Sequence, residues 1–411
     1  MTDERERPPW AERLQAEREG RGWSKAEMGR RLRRAIGAEH TPVDSLTRQI
    51  RDWEKGKHFP RDWAAAYAIA FRLDESELFS EQGEVAPMRP SPGPVSAGAG
   101  DAEVIRNMLN ALTASDRQFG GTHARQYATD YLSTVIQPRL HSHADERLLR
   151  RLFAVSTEFT LRVSAMHLDT GHARTSLRLL GTASSMAQET NDLTLTAWVL
   201  SRRGEHEIHQ AMLARYRGAE PSHAKHTERA LAYTSGAAAM ARQSSPQARA
   251  FILTKQALAG SMTGDHAQTQ RILGEVWDAY DKAGGAEEPD WMRMYGWGHL
   301  RHEEARCYYN LGMGEEAVRA AEESMKVRTD PRPRAFTLGI QAIGYTQTKP
   351  KDLDRACAAA HEVIELIGQV TSDRVRIRLG EVLDALRPYQ ETAAVRDVFD
   401  AAQPVMTGFP K

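Results

Sequence analysis

The chain lacks most of what marks a secreted, membrane-spanning or catalytic protein. Its 411 residues include two cysteines, Cys307 and Cys357, with no pairing pattern, which points to a reducing compartment. No apolar run approaches the roughly 18–20 residues a spanning helix needs. The stretch Met1-Thr2-Asp3-Glu4-Arg5-Glu6-Arg7 has no apolar centre of the kind a secretion signal requires, so a cytoplasmic location is expected. Net charge is also missing: 55 basic residues balance 55 acidic ones, which excludes polyanion binding by bulk charge alone. No Gly-rich phosphate loop, serine nucleophile turn or paired acid site occurs. Neither catalysis nor a cofactor is expected, and strand-like alternation is almost absent.

What is present belongs to a folded, helical protein. A hydrophobic content of 41% with 27% charged residues fits a soluble chain, and the length calls for two or more units. The charge is also unevenly placed. Between Arg18 and Arg61, twelve Lys and Arg stand against six Asp and Glu, whereas from residue 101 onward the count is 38 against 38. One end of the chain therefore carries a local positive footprint of the kind DNA attracts.

Within that end, Val43, Leu46, Ile50 and Trp53 recur at intervals of three, four and three, which makes one apolar stripe of a helix. The far face carries Thr47, Arg48, Arg51 and Lys55. Ahead of it, Ser24-Lys25-Ala26-Glu27 reads as a capping box for a helix with Met28, Leu32 and Ile36 inward. Residues 10–80 read as five short helices. Trp10 and Leu14 face inward on the first, and Gly37 lies near the end of the second. Thr41 is expected to cap the third, with Pro42 at its first position. Pro60 precedes the fourth, where Trp63, Tyr67, Ala70 and Phe71 share a face, and Asp74 to Phe79 makes a last turn. Residues 81–100, rich in Pro, Gly, Ala and Ser, are expected to be a mobile linker.

From 101 to 411 the pattern is helical, with turns every 15 to 25 residues and a recurring small-residue signature. Thr170-Gly171-His172-Ala173 leads into Leu177 and Leu180, and Thr263-Gly264-Asp265-His266-Ala267 into Ile272 and Leu273. Leu311-Gly312-Met313-Gly314-Glu315-Glu316-Ala317 leads into Ala320 and Ala321, and Lys351-Asp352-Leu353-Asp354-Arg355-Ala356 into Ala359 and Ala360. Ala267 to Ala317 is 50 positions and Ala317 to Ala356 is 39, longer than the roughly 34-residue tetratricopeptide period. Paired helices crossing at small residues suggest an α-solenoid; an irregular helical bundle with Ala-rich contacts is the alternative.

The pieces Ser24-Lys25-Ala26-Glu27-Met28-Gly29, Ile50-Arg51-Asp52-Trp53-Glu54-Lys55-Gly56 and Pro60 resemble the Xre/Cro-type helix-turn-helix of bacterial regulators. Arg334-Ala335-Phe336-Thr337-Leu338, Asp352-Leu353-Asp354-Arg355-Ala356-Cys357, Leu386-Arg387-Pro388-Tyr389 and Ala394-Val395-Arg396 resemble the degenerate tetratricopeptide domain joined to such modules in actinobacterial regulators. The chain departs from the family in a longer stretch between its second and third helices, Gly37 to Pro42, and in Leu46, which stands where the family has a small capping Ser. The resemblance implies an all-α protein: a five-helix DNA-binding domain, a linker and a tetratricopeptide-like body for dimerisation and sensing. It implies that Thr47 and Arg48 enter the groove, flanked by Gln49 and Arg51, with Arg48 suited to guanine O6 and N7. Lys25 would meet a phosphate at a helix start, and Lys55, Lys57 and Arg61 would hold the backbone. Arg30 is the remaining basic candidate.

Two other signals carry less. His299 with His302, His206 with His209 and His223 with His226 each put two imidazoles on one helical face, a spacing that could serve a metal; with 15 histidines in the chain and no third ligand near, no metal site is expected. Trp291, Arg293, Tyr295 and Trp297 form the densest aromatic cluster of the body, read first as core packing and second as the lining of an effector or partner groove. The expected function is a dimeric, sequence-specific transcription regulator acting on a double-stranded operator, with a peptide, small molecule or protein as possible effector. A protein-interaction scaffold with auxiliary DNA binding is the competing class.

Overall fold

The computed structural model describes residues 7–21, 23–36, 41–71, 78–79, 97–142, 144–283 and 287–407. Every regular element among them is helical and none is a strand, so the chain is all-α. It divides into two compact units, Met1–Gly93 and Pro94–Lys411.

In the first unit, α1 (Pro9–Gly20), α2 (Lys25–Ile36), α3 (Val43–Glu54) and α4 (Ala64–Phe71) surround one small core, with a single 3-10 turn, Arg61–Trp63, leading into α4. Trp10, Leu14, Met28, Leu32, Leu46, Ile50, Trp53, Tyr67 and Phe71 are all buried there. Each such side chain contributes roughly 1.5–3 kcal/mol by leaving water. Ser24 Oγ accepts from the Glu27 amide at 3.1 Å, the forward half of the capping box. The Glu27 carboxylate turns instead to Arg30 and Arg31 at 2.9 and 3.0 Å. The start of α3 corrects the expectation. Its first residue is Val43, and Pro42 occupies the capping position in an extended conformation, with no side-chain cap hydrogen bond. Pro42 accepts from the Leu46 amide through its carbonyl at 3.2 Å, so Thr41 is not the cap. Gly37 and residues 74–77 lie outside the described residues, as does the Ile36 side chain. Leu78 is buried and Phe79 packs against the same core. Of the expected linker 81–100, residues up to 96 also lie outside. Its last part belongs to the second unit, where Ala97 is buried and donates from its amide to Ser142 Oγ at 3.2 Å.

The second unit is a run of helix hairpins. It begins with α5 (Asp101–Phe119), α6 (Thr122–Tyr131) and α7 (Gln137–Leu140). There follow α8 (Glu146–Asp169) with α9 (Ala173–Gln188), α10 (Leu193–Tyr216) with α11 (Glu220–Met240), and α12 (Pro246–Ser261) with α13 (His266–Asp281). The last three pairs are α14 (Trp297–Asn310) with α15 (Gly314–Met325), α16 (Pro331–Gln347) with α17 (Leu353–Ile367), and α18 (Asp373–Leu386) with α19 (Ala393–Met406). Within each pair the two helices pack together, and each even-numbered helix from α8 onward also touches the next even-numbered one. The small-residue signatures fall at the hairpin turns, where Gly171, Gly264 and Gly312 have φ of 80°, 77° and 72°. Asp265 and Asp352 cap the following helices, accepting from backbone amides at 3.0 and 3.1 Å.

The even-numbered layer curls until its ends meet. Helix α5 packs on α16, and α10 on α18. Thr371 donates from its amide to the Phe119 carbonyl at 3.0 Å. Gly120, with φ of 85°, sits so close that a Cβ there would lie 2.3 Å from the Thr371 oxygen. Closure leaves a central cavity of about 600 Å3.

Candidate functional site

Two features of the structure carry chemistry, one in each unit. In the first, the stripe of α3 turns inward as its spacing requires: Leu46 and Ile50 are fully buried, Trp53 is nearly so, and Val43 is half-buried. The Trp53 ring meets Tyr67 edge to face at 5.9 Å. That packing fixes which side of α3 faces water. Arg48, Arg51 and Lys55 on the helix and Arg61 beyond it are exposed, and none of their side chains has a hydrogen-bond or ion-pair partner among the described residues. The remaining candidates are engaged within the chain. The Thr47 hydroxyl donates to the Val43 carbonyl at 2.8 Å, the Gln49 amide to Ser45 at 3.5 Å, and the Lys57 ammonium to Asp52 at 2.8 Å. Arg30 is exposed but paired with Glu27. The Lys25 ammonium lies 3.2 Å from Glu54 Oε2, so much of its charge is already answered.

Glu54 is the residue that sequence reasoning missed. It is buried, and Arg18 from α1 grips it with two donors, at 2.5 and 3.0 Å. A third donor of Arg18 reaches the Trp23 carbonyl at 2.9 Å. The hydrogen bond to Glu54 raises the Arg18 pKa further. The glutamate of the Trp-Glu-x-Gly piece is thus an internal fastener between α1, α2 and α3.

In the second unit, the aromatic cluster divides. Trp291 is buried and stacks on Trp198 with centroids 4.3 Å apart and planes 4° apart; it is core. Tyr295 rests on Phe251 at 4.2 Å, and its other side, with Trp297, lines the central cavity. The Arg293 side chain lies outside the described residues. The cavity is otherwise polar, which the sequence pattern did not foretell. The available signal was charge on helix faces that a core would keep apolar: Arg202, Glu205 and His209 repeat at helical spacing on α10.

Burial and ion pairing set the charge states there. The fully buried Lys255 ammonium donates to Glu303 at 2.9 Å and lies 3.5 Å from Glu205. Burial alone would raise the Glu205 carboxyl, yet Arg202 and Lys255 bring it down to about 2, and Lys255 and Arg306 hold Glu303 far below the usual carboxylate range. Burial, reinforced by Arg374, lowers His209 to about 3. His299 and His302 are pushed well below the ordinary imidazole value by burial first and neighbouring cations second. These histidines are neutral at physiological pH. The pairs noted in the sequence serve separate contacts: His302 bonds Thr337 at 2.9 Å, and His226 bonds Glu207 at 2.6 Å. Among the described residues no group of three or more His, Cys, Asp or Glu is arranged to hold a metal ion, and no helix is long and apolar enough to cross a membrane.

Comparison with protein-family models, with curated proteins and with solved structures finds no match.

Proposed function

We propose that the chain is a sequence-specific DNA-binding transcription regulator, with a helix-turn-helix module formed by α2 and α3 and a tetratricopeptide-like α-solenoid body. The single observation that carries this reading is the two-faced α3. Its inner stripe is locked into the core, and its outer face presents Arg48 and Arg51 without internal partners among the described residues. A major groove accepts a helix of that kind, and an arginine fork discriminates guanine by about 1–3 kcal/mol. The local excess of positive charge around this helix supplies the sequence-independent attraction. Lys55 and Arg61, exposed beside it, are the backbone-holding groups; Lys25, paired with Glu54, contributes less.

One such module covers one half-site. Dimerisation through the body would set two copies about 34 Å apart on a two-fold operator, and an effector that binds the body would act by favouring one dimer geometry.

In-vitro selection from random duplexes with the full chain, followed by gel-shift titration on the enriched sequence, tests the reading. Arg48→Ala is expected to lower affinity for that sequence about tenfold or more and to relax preference at one base pair. Lys57→Ala is expected to weaken all duplexes alike and modestly. No enriched sequence, or one bound equally by wild type and Arg48→Ala, overturns the assignment and favours a protein-interaction scaffold.

A further inference from the structure

The charges around the central cavity do not balance. Eight arginines line it against three carboxylates, Glu205, Glu303 and Asp330. Most of those arginines have assigned partners. Arg162 and Arg332 meet Asp116, while Arg332 and Arg374 share the fully buried Asp169. Arg202 and Arg306 are held by Glu205 and Glu303, which also take Lys255. Arg378 pairs with Glu381, which also takes Arg215. With these neighbours counted, ten cations face six carboxylates, a surplus of four.

Arg328 carries the imbalance most plainly. It stands between α15 and α16, donates to the Pro333 carbonyl at 3.2 Å, and lies 3.3 Å from Nδ1 of His299. No carboxylate among the described residues comes within ion-pairing distance of it. Burial, together with Arg117 and Arg306 and against the pull of Glu303, lowers its pKa to about 10. Arg117 lines the same cavity and has only a 3.6 Å approach to the half-exposed Asp330. Guanidinium groups that are unpaired among the described residues, as Arg328 is, or weakly paired, as Arg117 is, repel one another in a partly desolvated hollow, and they gain most from an anion that accepts their forked donors. Beside them, Tyr295, Trp297 and Phe336 offer aromatic surface. A volume of about 600 Å3 falls within the roughly 300–1,000 Å3 of small-molecule sites.

We propose that this cavity binds a small organic anion, its carboxylate or phosphate oxygens held by Arg328 and Arg117 and its ring or apolar part laid on Tyr295, Trp297 and Phe336. The inference rests on the reading of the body as the effector-binding part and names the ligand class, whereas binding itself requires no DNA.

Calorimetric titration of the full chain with phenyl phosphate, benzoate, phenol and inorganic phosphate tests it. An aryl anion is expected to bind and to raise the melting temperature of the body, and neutral phenol is not. Whether phenyl phosphate or benzoate binds more tightly tells which headgroup the site takes, and inorganic phosphate measures the contribution of the ring. Arg328→Gln and Arg117→Gln are each expected to weaken the aryl anion about tenfold or more, and Arg328→Lys to restore part of the loss. Since Arg328→Gln leaves no buried carboxylate without its partner, that variant should melt like wild type in the absence of ligand. Binding of phenol as tight as the anions, failure of both aryl anions, or unchanged affinity in both glutamine variants overturns the proposal. Duplex binding measured on the same samples separates the two claims. Anion binding without sequence-preferring DNA binding overturns the regulator reading alone, and the converse overturns the cavity alone.

Discussion

At the scale of single residues, the most consequential pair in the first unit is Arg18 with Glu54, a buried, two-pronged ion pair. Removing one partner of such a pair strands the other charge in a poorly solvated place, at a cost of about 3–5 kcal/mol. Glu54→Gln is therefore expected to destabilise the first unit by about 3 kcal/mol or more. In amide hydrogen exchange of the full chain, α1, α2 and α3 should lose protection while the body keeps its own; unchanged protection in α1 would show that Glu54 does not fasten these helices together. The Leu46, Ile50 and Trp53 stripe was legible in the sequence because a helix repeats its inward face every three or four positions. The Glu54 pair was not, since its partner lies 36 residues away and an isolated Glu beside a Trp reads as solvated. The Lys25 contact with Glu54 was hidden for the same reason: the two residues come from different helices.

At the scale of elements, the hairpin turns were readable where glycine takes up a left-handed backbone, at Gly171, Gly264 and Gly312. The start of α3 was less so. Thr and Pro both have strong local preferences at helix starts, and the choice between capping through the Thr41 side chain and simply turning at Pro42 depends on packing that a local pattern does not contain. The closure of the layer was invisible, because it joins Gly120 to Thr371 across most of the body. Gly120 combines φ of 85° and ψ of 173°, a region nearly reserved for glycine, with backbone at the position of any added carbon. Gly120→Ala is expected to destabilise the body by about 2 kcal/mol or more. Gly218→Ala, at φ of 67° with open space around it, is expected to cost about 1 kcal/mol. Calorimetric melting of the two variants checks the order; equal losses would mean that the α5 contact with residue 371 contributes nothing to the closed body.

At the scale of the whole molecule, the neutral sum of 55 basic and 55 acidic residues conceals two different arrangements of charge. Around α3 the excess is exposed and faces outward, where it can meet a polyanion. Inside the body it lines a recessed, partly open cavity whose volume suits a small one. The sequence revealed the first because the basic residues cluster along the chain. It hid the second because the arginines of the cavity come from α5, α8, α10, α14, the α15–α16 turn, α16 and α18 and converge only on folding. On the proposed function the two arrangements are the two ends of one regulator, in which α3 reads base sequence. Genome-wide DNA enrichment with the intact chain, repeated with Arg48→Ala, is the sharpest test of that role. Discrete sites sharing paired half-sites about 10 base pairs apart are expected with the intact chain, lost or scattered in the variant. Diffuse enrichment, or the same sites recovered undiminished by Arg48→Ala, would show that α3 does not read sequence.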